Sequence, residues 1–343
     1  MAKKWTAQEI LDVARSFQPA CVLTAGAVLD VFTPLHEQSK TAQALACELG
    51  ADSRAMTILL DALAAMELLD KQGNLYSVPS DVGRLLSEKS PANILPMVRH
   101  LSNCLRHWSL LSQVVQKGGP AETGPSIRGV AADRADFIGA MQNVSEPVAA
   151  EVVDRLQPLK FRRVLDVGAG PGTWTIALLQ AVPEARATLF DLPLVIPMAR
   201  RRIAEAGLKG RVEFVGGDYY NDDLPDGVDL VWLGAVCHQN SRAQNRALFS
   251  RAYQSLDEGG AVIIRDIIMD ASRTRPKAGA LFAVNMLVNT EGGRTYTFDE
   301  YRQDLCEARF DEVVLVHQDE SMSCLIRAEK NVNIKIAESA EGG

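Results

Sequence analysis

Along the first third of the chain, apolar positions recur at helical spacing. Residues 6–16 set Ile10, Leu11, Val13 and Ala14 on one side of a helix, and 17–35 (FQPACVLTAGAVLDVFTPL) is apolar almost throughout. Ser39-Lys40-Thr41 is a cap sequence for a helix over 42–47, which Gly50 closes. Asp52-Ser53 opens a second helix over 54–66, with Ile58, Leu59, Leu60, Leu63 and Met66 predicted as its buried face. LLDKQGNLYSVP then reads as a hairpin around Gln72-Gly73-Asn74. Helix is predicted again over 88–117. There His100 and His107, seven residues apart, share a face and either line a pocket or sit half-buried without a ligand. A loop over 118–125 precedes a helix over 137–156.

From residue 160 the period changes. Val164-Leu165-Asp166-Val167 has the length and branching of a buried parallel strand. It ends in Gly168-Ala169-Gly170-Pro171-Gly172, followed by a helix over 173–182 and a strand over 187–190 that runs into Asp191. This is one strand–helix–strand unit whose first crossover is a glycine turn, where a ligand can approach the backbone closely. Helices over 194–206, 241–256, 278–289 and 297–308 then alternate with strands over 211–215, 228–233 and 261–268. Thr297 and Glu300 form a capping-box pattern at the last of these helices. Strands over 313–317 and 323–328 complete the sheet, and 331–343 is expected to be a flexible tail.

Helix, short turn, helix and hairpin is the order of a winged helix, a fold often used to read DNA. A recognition helix needs an exposed face of Arg, Lys, Asn or Gln, and 53–66 offers only Arg54. The formal charge of −7 also argues against a phosphate-binding surface. Residues 1–120 are therefore expected to be a winged-helix-like dimerisation domain, because their apolar helices exceed what a small domain buries alone. No nucleic-acid partner is expected. An apolar content of 47% with 23% charged residues is that of a soluble globular chain. No stretch is long enough to span a bilayer and no signal core opens the sequence. Cys21, Cys47, Cys104, Cys237, Cys306 and Cys324 are scattered without metal-ligand spacing, as in a reduced, cytoplasmic protein without a metal.

The turn itself separates two nucleotide ligands. A dinucleotide site needs a third glycine where Thr173 stands, and Asp166, two residues before Gly168, would repel a pyrophosphate. A carboxylate there suits S-adenosylmethionine (SAM), which carries an ammonium and a sulfonium and no phosphate. Asp191 is then placed for the ribose hydroxyls. Asp218 and Tyr219, at the end of the third strand, suit the adenine. For removal of a proton from a hydroxyl, His238 stands just past the fourth strand, on the same rim as the glycine turn.

LDVGAGPGT resembles the first motif of class I SAM-dependent methyltransferases. Over residues of about 15 to 328, the chain resembles O-methyltransferases of the plant caffeate and acetylserotonin type and their bacterial relatives in secondary metabolism. The resemblance implies a Rossmann-like α/β domain (158–330) behind the dimerisation domain, joined by a helical linker (121–157) that lines the active site, and a homodimer. It implies SAM as cofactor, S-adenosylhomocysteine (SAH) as product and a small, aromatic or polyketide-like hydroxyl compound as substrate. By the same match, Gly168 contacts the amino-acid end of SAM, Asp191 the ribose, and Asp218 and Tyr219 the adenine, with Asp166, Gly170 and Leu192 also expected among the cofactor-binding residues. His238 falls on the general base, and Asp266 on a carboxylate that orients it. Phe137, Met141 and Asn143 fall where the family places residues near the methyl donor, and Phe282, Asn285, Met286 and Asn289 on the helix that lines its substrate pocket.

The sequence departs from the family in several places. Gln239 and Asn240 stand where an aspartate and a tryptophan follow the base, Gly234 where plant members carry a lysine, and Thr295, with Glu291 nearby, where a second orienting carboxylate is expected. Arg265, beside Asp266, is given no part. These departures leave open a SAM-binding relative that hydroxylates, decarboxylates or methylates carbon or nitrogen.

Overall fold

The structure is a computed structural model that describes residues 3–331. The predicted tail, from residue 332 onward, lies outside the described residues. In chain order, the first elements are α1 (Ala7–Arg15), α2 (Phe17–Leu29), α3 (Phe32–Glu37), β1 (Lys40–Thr41), α4 (Ala42–Leu49) and α5 (Ser53–Ala65). The hairpin β2 (Asp70–Gln72) and β3 (Leu75–Ser77) follows, then α6 (Ser80–Leu86), α7 (Leu95–Trp108), α8 (Leu111–Lys117), α9 (Val130–Ser145) and α10 (Ala149–Asp154). The chain folds into two compact units. One comprises the residues up to Ser109 together with Glu122–Val144. The other comprises Leu110–Ala121 together with the chain from Ser145.

The first unit follows its caps. Thr6 and Glu9 form a capping box at α1, Thr41 accepts from Ala44 N and Asp52 from Ala55 N, and Gly50 closes α4 at φ +64°. The hairpin takes β1 as a third antiparallel strand, in the order β1-β3-β2. Phe32, Leu35, Leu45, Met56, Leu60 and Leu63 form its core with Leu95 and Val98 of α7. Ile58, expected inside, is 56% exposed, and α1 buries none of its residues, so Ile10, Leu11 and Val13 remain on the surface.

Two helical expectations need correction. The predicted helix over 88–117 is two helices, α7 and α8, broken at Ser109-Leu110, and α6 before them was not foreseen. The helix over 137–156 starts earlier, at Val130, and is interrupted by a 3₁₀ turn, Glu146–Val148. Pro147 accounts for that break, since its nitrogen has no proton to donate and its ring disfavours helical geometry just before it.

The second unit is built on a seven-stranded sheet. Its remaining elements are β4 (Arg163–Val167), α11 (Thr173–Ala181), β5 (Arg186–Asp191), α12 (Ile196–Glu205), β6 (Val212–Gly216), β7 (Val228–Gly234), α13 (Arg242–Ser255) and β8 (Leu256–Asp266). They continue with β9 (Ile268–Met269), α14 (Lys277–Asn289), β10 (Tyr296–Thr297), α15 (Phe298–Glu307), β11 (Asp311–His317) and β12 (Cys324–Glu329). Strand order is β11-β12-β8-β7-β4-β5-β6. β6, β5, β4, β7 and β8 run parallel, and β12 lies antiparallel to both β8 and β11. This is the Rossmann-like α/β sheet that the resemblance implied.

Alternation along the strands feeds two cores. Leu165 and Val167 pack with α13 and α15 on one face, whereas Val164, Leu230, Trp232 and Ile263 pack with α10, α11 and α12 on the other. The chain leaves β4 toward β5 and β6, then returns to lay β7 and β8 on β4's other side. The carboxyl ends of β4 and β7 therefore form the switch point where such sheets hold ligands. The fifth strand of the sheet, predicted over 261–268, stops at Asp266, because Asp266 Oδ1 accepts the Ile267 N–H at 2.8 Å. Ile268–Met269 instead pairs with Tyr296–Thr297. No helix among the described residues is long and apolar enough to cross a membrane.

The predicted capping box at α15 forms. Thr297 Oγ1 accepts Glu300 N at 3.2 Å, and Glu300 Oε2 accepts Thr297 N at 2.9 Å. Thr297→Ala is expected to destabilise the protein by about 1 kcal/mol, read as a lower urea midpoint at unchanged slope.

Candidate active site

The glycine turn at the end of β4 is left-handed at three points, Gly168 (φ +66°), Gly170 (φ +54°) and Gly172 (φ +79°). A Cβ on Gly168 would stand 2.8 Å from Val236 Cγ2, and one on Gly172 would press on Leu189 and Ile203. A Cβ on Gly170 would meet nothing within 4 Å. Gly170 therefore borders open space, and its bare backbone is where a ligand can lie. Asp191, at the end of β5, holds the turn in place. Its Oδ2 accepts Gly170 N at 2.7 Å and its Oδ1 accepts Leu192 N at 2.7 Å. Burial raises the Asp191 pKa, and the two N–H groups oppose that rise. Each oxygen retains capacity to accept a hydroxyl. Leu192 beside it is 43% exposed.

Asp166 lies beneath the turn, 1% exposed, with Thr175 Oγ1 of α11 donating to its Oδ2 at 2.6 Å. Burial pushes its pKa up to about 7, the Asp191 charge adds to the rise, and the Thr175 hydrogen bond opposes it. Past β6, Asp218 Oδ1 accepts Tyr220 N at 3.0 Å and its Oδ2 accepts Asn221 Nδ2 at 2.8 Å. The rings of Tyr219 and Tyr220 stand 4.5 Å apart. Both hydroxyls donate to Asn240 Oδ1, at 3.4 and 2.6 Å, and burial raises the Tyr219 pKa.

Asp266 and His238 form a buried pair, 1% and 6% exposed. His238 Nδ1 lies 2.9 Å from Asp266 Oδ1, and the backbone N–H of His238 donates to Asp266 Oδ2 at 3.1 Å. Asp266 thus fixes both the ring and the peptide that carries it. With the carboxylate at Nδ1, that nitrogen holds the proton and Nε2 is left as the acceptor. Nε2 has no partner among the described residues. The ring of Phe282 on α14 stands edge-on to His238, centroids 4.8 Å apart.

Other candidates are dispersed. Met286 is buried and Asn289 exposed, with Asn289 Nδ2 donating to Asn285 O at 2.7 Å. Phe137, Met141 and Asn143 belong to the first unit. There Phe137 is edge-on to His100 at 5.2 Å, Met141 is half-buried, and Asn143 Nδ2 donates to Asn93 O at 3.1 Å. His100 and His107 hold separate partners, Cys104 Sγ and Thr123 Oγ1. Among the described residues, no group of three or more His, Cys, Asp or Glu could hold a metal ion.

Sequence reasoning missed several supporting residues. Tyr301 donates to Asp266 Oδ2 at 3.0 Å, while Thr295, where a second carboxylate was expected, is simply buried and Glu291 is exposed. Asn240 is fully buried and passes its Nδ2 to Asn245 Oδ1, and Asn245 Nδ2 donates to Cys237 O, at 2.9 and 3.0 Å. No spacing rule points to Tyr301 or Asn245. The only available signal was that a buried phenol or amide needs a partner.

Comparison with known proteins bears on this arrangement. The model of the O-methyltransferase domain matches residues 125–311, and that of the O-methyltransferase dimerisation domain matches residues 11–88. The chain is 29% identical over 309 residues to 3-hydroxy-5-methyl-1-naphthoate 3-O-methyltransferase of Streptomyces sahachiroi, covering 89% of each chain. It is 28% identical over 322 residues to acetylserotonin O-methyltransferase of Bos taurus, covering 88% of this chain and 92% of that one. The solved structure of PigF with SAH superposes with a TM-score of 0.84 at 26% identity, over 95% of this chain and 100% of the other. A protein named PigF is the S-adenosyl-L-methionine-dependent methyl transferase of Serratia sp. (strain ATCC 39006).

The raised pKa of Asp166 has a consequence for stability. An unfolded aspartate titrates near ~3.9, whereas the folded one titrates at about 7. Between those values the folded state keeps a proton that the unfolded state has lost, so this group's contribution to stability falls as pH rises through the window. The ligand-free Asp166→Asn variant is expected to gain melting temperature over the wild type as pH goes from about 5 to about 8. A difference between the two proteins that does not change with pH would contradict this.

Proposed function

The chain belongs to the O-methyltransferase family, and we propose that it moves the methyl group of SAM to a hydroxyl of a small aromatic or polyketide-like molecule, with His238 as general base. It is a SAM-dependent methyltransferase, and the acceptor class and the residue roles are the proposed part. The observation that carries the base assignment is the double grip of Asp266 on His238, at Nδ1 and at the backbone N–H.

SAM, when bound, would supply an electrophilic methyl on a sulfonium, with SAH as the leaving group. The open space at Gly170 fits such a ligand. Asp191, with Leu192 beside it, takes the ribose hydroxyls. Asp218 and Tyr219 take the adenine, and the backbone of Gly168 and Gly170, with Asp166, takes the amino-acid end. A phenol with a pKa near ~10 keeps its proton at neutral pH, whereas imidazole near ~6.5 is matched to remove it. His238 Nε2 accepts the hydroxyl proton as the oxygen–methyl bond forms and the sulfur–methyl bond breaks. Asp266 accepts a hydrogen bond from the Nδ1 proton, which stays on the ring, and so stabilises the imidazolium. Phe282, Asn285, Met286 and Asn289 on α14 offer a ring edge, a thioether and amides for a flat, partly polar acceptor. Two relatives named above act, by their names, on a hydroxynaphthoate and on acetylserotonin, which supports that class. Transfer to carbon or nitrogen, or SAM binding without transfer, is not favoured beside relatives named as O-methyltransferases.

Incubation with SAM and a panel of phenols is expected to yield SAH and a methyl ether. His238→Ala is expected to lower kcat by ~10²–10⁴-fold with SAH affinity unchanged by calorimetry. Full activity in that variant would remove His238 as the base.

A homodimer is proposed on the match to the dimerisation domain and on the exposed Trp5, Ile10, Leu11, Val13 and Phe17. We also place the protein in the cytoplasm, where six free cysteines stay reduced. Sedimentation at micromolar concentration is expected to give twice the chain mass, and a monomer there would reject the dimer.

A further inference from the structure

One charged group in the second unit has no partner to account for it. Arg265 is 3% exposed. Among the described residues, its guanidinium makes no hydrogen bond and no ion pair. Its Nε is fully buried without an acceptor, and so is Trp232 Nε1 nearby. The guanidinium instead lies over the ring of Trp174, 4.5 Å from its centroid. Burial lowers its pKa to about 10, with the charges of Asp266 and Asp319 opposing the drop, so it remains a cation at neutral pH. Native proteins rarely leave a buried charge and a neighbouring buried donor unmatched, and such groups point to something that completes them.

Their position says what that is. Trp174 is the second residue of α11, directly after the glycine turn. Arg265 pairs across the sheet with Gly234, the last residue of β7, at the carboxyl rim. A Cβ on Gly234 would stand 2.5 Å from Trp232 Nε1, so the orphaned indole N–H lies beside the residue that Arg265 faces. On β7's other side, Asp166 pairs with Trp232. Strand alternation puts Asp166, Trp232 and Arg265 on one face, the face covered by α11. A carboxylate and a guanidinium therefore flank a pair of indoles, next to a turn that admits a ligand. This is the complement of a zwitterionic amino acid, an ammonium for Asp166 and a carboxylate for Arg265. A planar, two-oxygen anion also matches the guanidinium fork.

Resting on the SAM reading above, we propose that Arg265, assisted by Trp232 Nε1, binds the carboxylate at the amino-acid end of the methyl donor. The positive charge comes from β8, under the donor, and the pair Asp166–Arg265 selects ligands that retain both amino-acid charges. 5′-Methylthioadenosine, which lacks that end, and the decarboxylated analogue of SAH, which lacks only the carboxylate, isolate the contact.

Calorimetry of SAH and its decarboxylated analogue, each against the wild type and Arg265→Met, closes a double cycle. The wild type is expected to prefer SAH by ~10- to 100-fold, the range for a charged hydrogen-bonded pair. Arg265→Met should bind the two equally and bind 5′-methylthioadenosine as the wild type does. Arg265→Lys, which keeps the charge and loses the fork, should fall between. Because Met replaces an unpartnered buried charge with an apolar chain of similar length, the ligand-free variant should melt no lower than the wild type. A preference for SAH that survives in Arg265→Met overturns the proposal. So does an equal loss for all three ligands, which would mark a structural arginine. Unchanged SAH affinity combined with weaker binding of carboxylated phenols would overturn it too, by moving the contact to the acceptor. Failure of SAH to bind the wild type overturns both this proposal and the SAM reading beneath it, and so is distinguishable from the other outcomes.

Discussion

A carboxylate buried at the end of β8 organises the reactive rim. Asp266 accepts four hydrogen bonds, from the His238 backbone, His238 Nδ1, Ile267 N and the Tyr301 hydroxyl. Those donors come from the loop after β7, from the peptide that ends β8, and from α15. One ion therefore stops a strand, tethers a helix and orients an imidazole. A carboxylate this deep is tolerated because its lone pairs are used, and the same saturation leaves it little freedom to move. Orientation is what a proton acceptor needs, because the direction of Nε2 is set by what holds Nδ1.

The loop after β7 is also held by neutral groups. Asn240 receives the Tyr219 and Tyr220 hydroxyls and hands its amide on to Asn245, which reaches back to the carbonyl of Cys237, the residue before His238. Tyr296 closes the set by donating to Asn240 O. The loop with the candidate adenine contacts and the loop with the candidate base are thus parts of one network. A change at Asn240 would be felt at both, and neither loop touches the other through apolar packing alone.

Much of this was legible from the residues. A strand of branched side chains, a glycine turn and a helix could be placed because all three glycines of the turn take a left-handed φ, and at Gly168 a Cβ would also stand 2.8 Å from a Val236 methyl. The capping box at Thr297 was legible because its partners are three residues apart. What escaped depends on contacts between distant segments. Tyr301 lies 35 positions from Asp266, and no local pattern marks a phenol as the partner of a particular carboxylate. Ile58 was placed inside by periodicity, but a helix with apolar residues nearly all round has no unique inner face. α6 was hidden by Gly83, which in a helix usually weakens it; here its missing Cβ is space taken by the His36 ring.

The same logic separates two kinds of irregularity in the second unit. Asp304 is buried and charged, yet Arg242 and Arg246 meet it at 2.7 and 3.1 Å, so it is explained by the fold alone. Arg99 in the first unit is likewise buried and paired, with Glu88 at 2.7 Å and Ala27 O at 2.9 Å. Asp166 and Arg265 are different: one, its pKa pushed up to about 7 by burial, has a single hydroxyl as partner, and the other has an aromatic face. Asp166 stands on β4 at the switch point of the sheet and Arg265 on β8 beside it, where local rules of consistency are expected to give way to ligand chemistry. A fold with no ligand to hold there would gain by making both residues apolar. Their place beside a bare glycine turn is what the proposed zwitterionic ligand would explain.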